Sequence, residues 1–134
     1  MNKPTGTMST HRRRERTERE VRVLIVEDAP ADAELMLRTL NRSGLRTVHR
    51  VVQDEPAFRA ALSDFRPDVI LADNKLPRFS GRRALRIARR HDALLPVIMV
   101  TGTLSEERIV RLMYLGLANY VMKDRLTSLT PSVI

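Results

Sequence analysis

The stretch VRVLIVEDAP, residues 21–30, decides how this 134-residue chain folds. Five of its first six residues are aliphatic, and two acids and Pro30 follow within four residues. A short apolar run of this kind is typical of a strand that is buried on both faces, and proline suits the first turn of a helix. The stretch therefore predicts a buried strand that ends in carboxylates and leads into a helix.

The same arrangement recurs three more times along the chain. Apolar runs at residues 68–72, 96–100 and 119–122 lead into Asp73, Thr101-Gly102 and Lys123, respectively. A weaker alternating run predicts one more strand at residues 46–52, and amphipathic spacing predicts helices at residues 31–42, 55–65, 81–91 and 105–115. Strands that alternate with helices require crossover connections. The pattern predicts an α/β domain, a doubly wound five-stranded parallel sheet with helices on both faces.

Polar side chains follow four of these strands at the point where each strand ends. Parallel strands present their carboxyl ends at one edge of the sheet, and ligands bind there. We therefore expect three acids, a hydroxyl and an ammonium group to converge at that edge, namely Glu27, Asp28, Asp73, Thr101 and Lys123. Such a set suits a divalent metal ion and a phosphoryl group.

Composition excludes several other classes of protein. The chain is 43% hydrophobic, and it has no apolar run near the roughly 18 residues that span a bilayer. The absence of cysteine excludes disulfides, cysteine-ligated zinc and thiol catalysis, and the three histidines lack metal-ligand spacing. The sequence has no glycine-rich phosphate loop. We expect a cytoplasmic protein that does not engage a membrane.

The formal charge of +8 is concentrated in two places. Residues 1–20 carry six basic and three acidic side chains, and we expect a flexible basic arm there, ahead of a folded domain at residues 21–134. A second block places Arg82, Arg86, Arg89 and Arg90 on one face of a helix. A solvated helix face is favoured over a nucleic-acid surface, because the chain is only 4% aromatic and lacks residues for base stacking.

Each residue at the sheet edge also has an ordinary structural interpretation. Glu27-Asp28 could be a helix N-cap pair, Asp73 a turn residue and Thr101 a cap. Lys123 could be a solvated charge and Tyr120 a core aromatic. Their joint occurrence at successive strand ends favours a functional site.

Four motifs in this order resemble the receiver domain of two-component response regulators. They are Glu27-Asp28, the DNKLP stretch at 73–77, Thr101-Gly102 and the YVMK stretch at 120–123. The resemblance covers about residues 21–130. It implies a flavodoxin-like fold of strand order 2-1-3-4-5, and a phosphoryl group accepted on Asp73 from a sensor histidine kinase or a histidine phosphotransfer protein. It implies no enzyme activity beyond self-phosphotransfer and autodephosphorylation.

The resemblance also implies the role of each residue in the site. Mg²⁺ would bind Asp28 and Asp73 directly, Glu27 through water and the backbone carbonyl of Lys75. The resemblance implies contact with the phosphoryl group for four residues: Lys123, Thr101, Gly102 and Asn74. It implies that Thr101 and Tyr120 form the conformational switch. Lys123 would pair with Asp73 at rest, and Tyr120 would turn inward when Thr101 moves toward the phosphoryl group.

Three features depart from the common receiver pattern. Asp124 stands where proline usually follows the strand-five lysine, so we expect a trans peptide bond there. Lys75, two positions beyond the acceptor, is expected to change the lifetime of the acyl phosphate. Residues 125–134 contain Pro131, so we expect a last helix that is short or incomplete.

The sequence leaves three functional hypotheses open. The leading one is a phosphorylation-dependent switch, either a stand-alone receiver or a fragment of a longer protein, that acts on an unknown downstream protein. The second is a phosphorylation-independent docking module, with a homodimer through residues 105–134 as one form. The third and least favoured is a basic nucleic-acid adaptor.

Overall fold

The computed structural model describes residues 20–74, 76–102 and 105–133, and most of the basic arm predicted at residues 1–20 lies outside them. The described strands form one parallel sheet in the order β2-β1-β3-β4-β5. They are β1 Val21–Val26, β2 Thr47–Val52, β3 Val69–Ala72, β4 Val97–Thr101 and β5 Asn119–Met122. The strand order implied by the resemblance is confirmed.

Helices connect the strands and cover both faces of the sheet. They are α1 Pro30–Arg42, α2 Glu55–Asp64, α3 Gly81–His91, α4 Glu106–Tyr114 and α5 Leu129–Val133, with a 3₁₀ segment at Lys123–Ser128. The bounds predicted for the five strands and for four helices agree with these to within one residue. None of the helices in the described part of the chain has the length and apolar character needed to cross a membrane.

The alternation of side chains along each strand divides the core into two layers. Leu24 and Val26 belong to the layer under α2 and α3, which contains Phe58 and Leu85. Val23 and Ile25, the alternate residues of β1, belong to the opposite layer. Met36 and Leu40 of α1 and Leu129 of α5 are buried in that layer. Burial on both faces explains why the central strands are continuous apolar runs.

Local signals in the sequence fix where the helices begin and end. The side chains of Asp54, Ser80 and Ser105 each accept a hydrogen bond from a backbone N–H three residues later, at 2.9, 3.1 and 3.3 Å. Gly44 and Gly116 follow α1 and α4 with φ of +89° and +102°, values that disfavour any residue with a Cβ. These residues set where α2, α3 and α4 begin and where α1 and α4 end.

The last helix is short, as the sequence predicted. A kink at Arg125 lies inside the 3₁₀ segment, and the following helix α5 has five residues. Leu129 is nevertheless fully buried against the sheet, and Leu126 packs on the same layer. The described chain contains no cis peptide bond, in agreement with the expectation for Asp124.

The basic face predicted for α3 needs one correction. Arg82, Arg86 and Arg90 are exposed, but Arg89 is partly buried and donates a hydrogen bond to the Ala93 carbonyl at 2.6 Å. Its Cδ lies 2.8 Å from the position that a Cβ on Gly116 would occupy. Burial lowers the pKa of Arg89. Arg89 is therefore a packing residue, because glycine leaves room for its aliphatic stem.

Candidate functional site

Three polar side chains are buried among the residues that the structure describes. They are Glu27, Asp73 and Thr101, exposed by 1, 7 and 2%. Each stands at the carboxyl end of a central strand, and the Asp73 N–H donates to the Val26 carbonyl at 3.0 Å. Burying polar groups costs free energy unless they are paired. Their concentration at one edge marks that edge as a candidate site.

A group of three carboxylates could hold a metal ion at this edge. One oxygen from each of Glu27, Asp28 and Asp73 lies within 4.8 Å of the others. Glu27 Oε2 accepts from the Ala29 N–H at 3.2 Å, and its buried Oε1 forms an ion pair with Lys123 Nζ at 2.9 Å. Mg²⁺ takes oxygen ligands of this kind. The residues present therefore fit the ion that the sequence predicted.

Lys123 lies among three carboxylates immediately after β5. Its Nζ is 2.8 Å from Asp32 Oδ2, 2.9 Å from Glu27 Oε1 and 3.1 Å from Asp73 Oδ2. The contacts to Asp32 and Asp73 have hydrogen-bond geometry, and that to Glu27 is an ion pair. The predicted resting pair between Lys123 and Asp73 is present.

The pKa values of this cluster follow from its burial and its charges. Burial raises the pKa of Glu27, and the nearby Asp73 carboxylate acts in the same direction against Lys123 and the Ala29 N–H. Partial burial alone lowers the pKa of Lys123, but the carboxylates of Asp32, Glu27 and Asp73 raise it above its ordinary value on balance. Lys123 is therefore a permanent cation at neutral pH.

Asp32 is the member of this cluster that the sequence argument missed. The predicted site residues all lie at or near strand ends, whereas Asp32 lies in the first turn of α1. A signal was available, because Pro30 at the start of α1 places the following turn directly over the same edge. The N-cap of this helix is Ala29, with no side-chain hydrogen bond, so the N-cap interpretation of Glu27-Asp28 is wrong.

Four of the remaining predicted residues lie in or just after strands β3, β4 and β5. Thr101 ends β4 in register with Met122, one residue before Lys123, and the neighbouring Gly102 is exposed. Tyr120 is 37% exposed, so the interpretation of Tyr120 as a core aromatic is wrong for this conformation. The Asn74 carbonyl accepts from the Gly81 N–H at 3.3 Å. Lys75 lies outside the described residues.

Gly81 allows α3 to begin against Asp73, the residue that follows β3. A Cβ at this position would lie 2.9 Å from the Asp73 carbonyl oxygen and 2.8 Å from Met99 Sδ. We expect Gly81→Ala to lower the free energy of unfolding by about 1–3 kcal/mol in urea denaturation, because the Asp73 backbone has to shift. Gly102→Ala is the control, since nothing lies within 4 Å of a Cβ there. Equal stability of the two variants would contradict this account.

The fold is that of CheY-like receiver domains. A CheY-like receiver domain protein from Methanospirillum hungatei superposes with a TM-score of 0.74 at 26% identity, covering 86% of this chain and 91% of that one. The phosphorylated cyanobacterial phytochrome response regulator RcpA superposes with a TM-score of 0.70 at 26% identity, covering 86% of this chain and 89% of its own.

The sequence comparison agrees with the structural one. Residues 23–131 match the response regulator receiver domain family, so the chain belongs to this family of two-component signalling domains. The DNA-binding response regulator MtrA of Mycolicibacterium smegmatis is 32% identical over 102 residues, which are 76% of this chain and 43% of MtrA. This chain thus spans less than half the length of that curated relative, and the DNA binding in its name describes MtrA.

Proposed function

We propose that this domain is a phosphorylation-dependent switch that accepts a phosphoryl group on Asp73, with Mg²⁺, from a phosphohistidine. The donor would be a sensor histidine kinase or a histidine phosphotransfer protein. The observation that carries the proposal is the position of Asp73, which shares one edge with two further acids and with the ammonium of Lys123. The phosphorylated state named for RcpA supports it.

The transfer needs a nucleophile and a way to balance negative charge. A carboxylate oxygen of Asp73 would attack the phosphorus atom in line, forming a P–O bond as the P–N bond breaks. The electron pair of that bond returns to the histidine ring, which takes a proton from solvent. When bound by Glu27, Asp28 and Asp73, Mg²⁺ would supply positive charge beside the phosphoryl oxygens. The Lys75 carbonyl remains a proposed further ligand.

Residues of this chain would then hold the phosphoryl group. Lys123 lies 3.1 Å from the acceptor carboxylate, so a small movement of Nζ transfers its hydrogen bond to a phosphoryl oxygen. The Thr101 hydroxyl, the Gly102 N–H and Asn74 would contact the other oxygens. Asp32 and Glu27 keep Lys123 charged and directed toward the site throughout.

A phosphoryl group acts as a signal only when it favours one of two conformations. We expect the ring of Tyr120, which is 37% exposed in this structure, to turn inward when Thr101 approaches the phosphoryl group. Three exposed apolar side chains of α4 lie on the surface that would change: Val110, Met113 and Tyr114. We propose this surface, within residues 105–134, for a downstream protein or a second copy of the chain.

Chemical phosphorylation tests the proposed function directly. The full chain is incubated with acetyl phosphate or phosphoramidate, with Mg²⁺ or with excess chelator, and the product is followed by intact mass. We expect one phosphoryl adduct that requires Mg²⁺ and is released by hydroxylamine, since an acyl phosphate reacts with that nucleophile. The absence of a hydroxylamine-labile adduct at saturating Mg²⁺ and donor would overturn the proposal.

A further inference from the structure

A cleft between α3 and α4 is separate from the carboxylate cluster. Its volume is about 260 Å³, below the range of most drug-sized ligand sites but sufficient for an anchoring side chain. The described residues that line it are Asn74, Ser80, Arg82, Arg108, Arg111, Leu112 and Leu115. Asn74 directly follows the acceptor Asp73, so the cleft adjoins the acceptor loop without containing its carboxylates.

The cleft is strongly basic. Arg82 comes from α3, and Arg108 and Arg111 come from α4. None of these three side chains makes an ion pair with a residue that the structure describes, and no acid is among the described residues that line the cleft. Three uncompensated guanidinium groups around one concavity attract a ligand with several negative charges.

Two other arginines near the cleft-forming helix α3 are paired with an acid. Arg83, the neighbour of Arg82, forms a salt bridge to Glu55 at 2.8 Å, and Arg59 contacts the same carboxylate at 3.0 Å. The hydrogen bonds from Arg83 and Arg59 lower the pKa of Glu55 to about 2. Arg83 connects α3 to α2 and Arg59 pairs within α2, whereas the arginines of the cleft remain available to a partner.

The floor of the cleft is apolar. Leu112 is 4% exposed and belongs to the hydrophobic core, and the partly buried Leu115 packs against that core. An apolar floor inside a cationic rim fits a ligand that combines carboxylates with a hydrophobic side chain. No aromatic residue is among the described residues that line the cleft, so nucleobases would find no stacking surface.

We propose that this cleft docks an acidic segment of a partner protein. Aspartate or glutamate side chains of the segment would pair with Arg82, Arg108 and Arg111, and guanidinium groups can bind carboxylates through two parallel hydrogen bonds. An apolar residue of the segment would rest on Leu112 and Leu115. This inference does not depend on phosphorylation of Asp73, so each proposal can fail without the other.

Fluorescence anisotropy on the unphosphorylated full chain tests the inference. The probe is a fluorescein-labelled peptide of repeated Glu-Glu-Leu, and Gln-Gln-Leu and Glu-Glu-Ser peptides serve as comparisons. We expect Arg108→Glu/Arg111→Glu to weaken binding by about tenfold or more, and Arg108→Gln/Arg111→Gln to weaken it by a smaller factor. Replacing either the acids or the leucines of the probe is also expected to weaken binding.

The control has the same charge change at exposed sites outside the cleft. Arg46→Glu/Arg90→Glu should bind within about twofold of the parent, because isolated surface charges contribute little. Circular dichroism and thermal melting establish that each variant is folded, and the glutamine pair replaces the glutamate pair if the latter unfolds. Equal weakening by both glutamate variants would overturn the proposal, as would tighter binding of oligodeoxythymidylate of equal charge at the same arginines.

Discussion

Asp73→Asn is expected to abolish labelling by acetyl phosphate, lowering the yield of the hydroxylamine-labile adduct by at least about a hundredfold. An amide oxygen is a poor nucleophile toward phosphorus, and Asp73 is one of three acids grouped at this edge. The measurement is intact mass after a fixed time at saturating Mg²⁺, followed by peptide mapping of the parent to locate the adduct.

The fold should tolerate this change. Asparagine retains the size of the side chain, and Lys123 keeps its contacts with Asp32 at 2.8 Å and Glu27 at 2.9 Å. Asp64→Asn is the matched control, since it makes the same substitution at an exposed carboxylate that ends α2. We expect its labelling to equal that of the parent. An undiminished adduct in Asp73→Asn would assign the acceptor to another residue.

Lys123→Ala is expected to change two properties in opposite directions. The site holds one ammonium and four carboxylates, three of which contact Lys123, so its formal charge of −3 becomes −4 without the lysine. The carboxylates are those of Glu27, Asp28, Asp32 and Asp73. Labelling should slow by about a hundredfold, because the phosphoryl oxygens lose a charged donor. Mg²⁺ should bind roughly threefold or more tightly, because a competing cation is removed.

Asp32→Asn provides the opposite charge change beside the same lysine. It removes the carboxylate 2.8 Å from Lys123 Nζ, and the formal charge of the site becomes −2. We therefore expect weaker Mg²⁺ binding, and a labelling rate within about tenfold of that of the parent. Mg²⁺ affinity is measured by calorimetry and labelling by the initial rate of adduct formation. If both variants shift Mg²⁺ affinity in the same direction, the electrostatic account of Lys123 is wrong.

Much of the fold was predictable from local sequence. Buried parallel strands require continuous apolar runs, and Gly44, Gly116 and Ser105 stop or start helices through backbone chemistry that does not depend on distant residues. Because parallel strands share one carboxyl edge, Asp73 and Lys123 could be expected to meet although 50 positions separate them.

Other features depend on side chains that meet across elements. Lys123 and Asp32 are 91 positions apart, and only the packing of α1 over the edge shows that Asp32 is the shortest contact of the ammonium. Arg89 was expected on a solvated face, but Gly116, which follows α4, leaves room for the aliphatic part of its side chain. Helical periodicity reports which face of one helix is polar and not what lies opposite that face.

The sequence by itself determined the doubly wound sheet and the acids, threonine and lysine at its carboxyl edge. This was possible because strand burial, helix punctuation and crossover handedness are local or topological rules. The tertiary structure alone decided that Asp32 joins the site and that Gly81 must lack a Cβ beside Asp73. It also decided that three arginines of two helices line one cleft, since each of these depends on distances between elements that no spacing along the chain specifies.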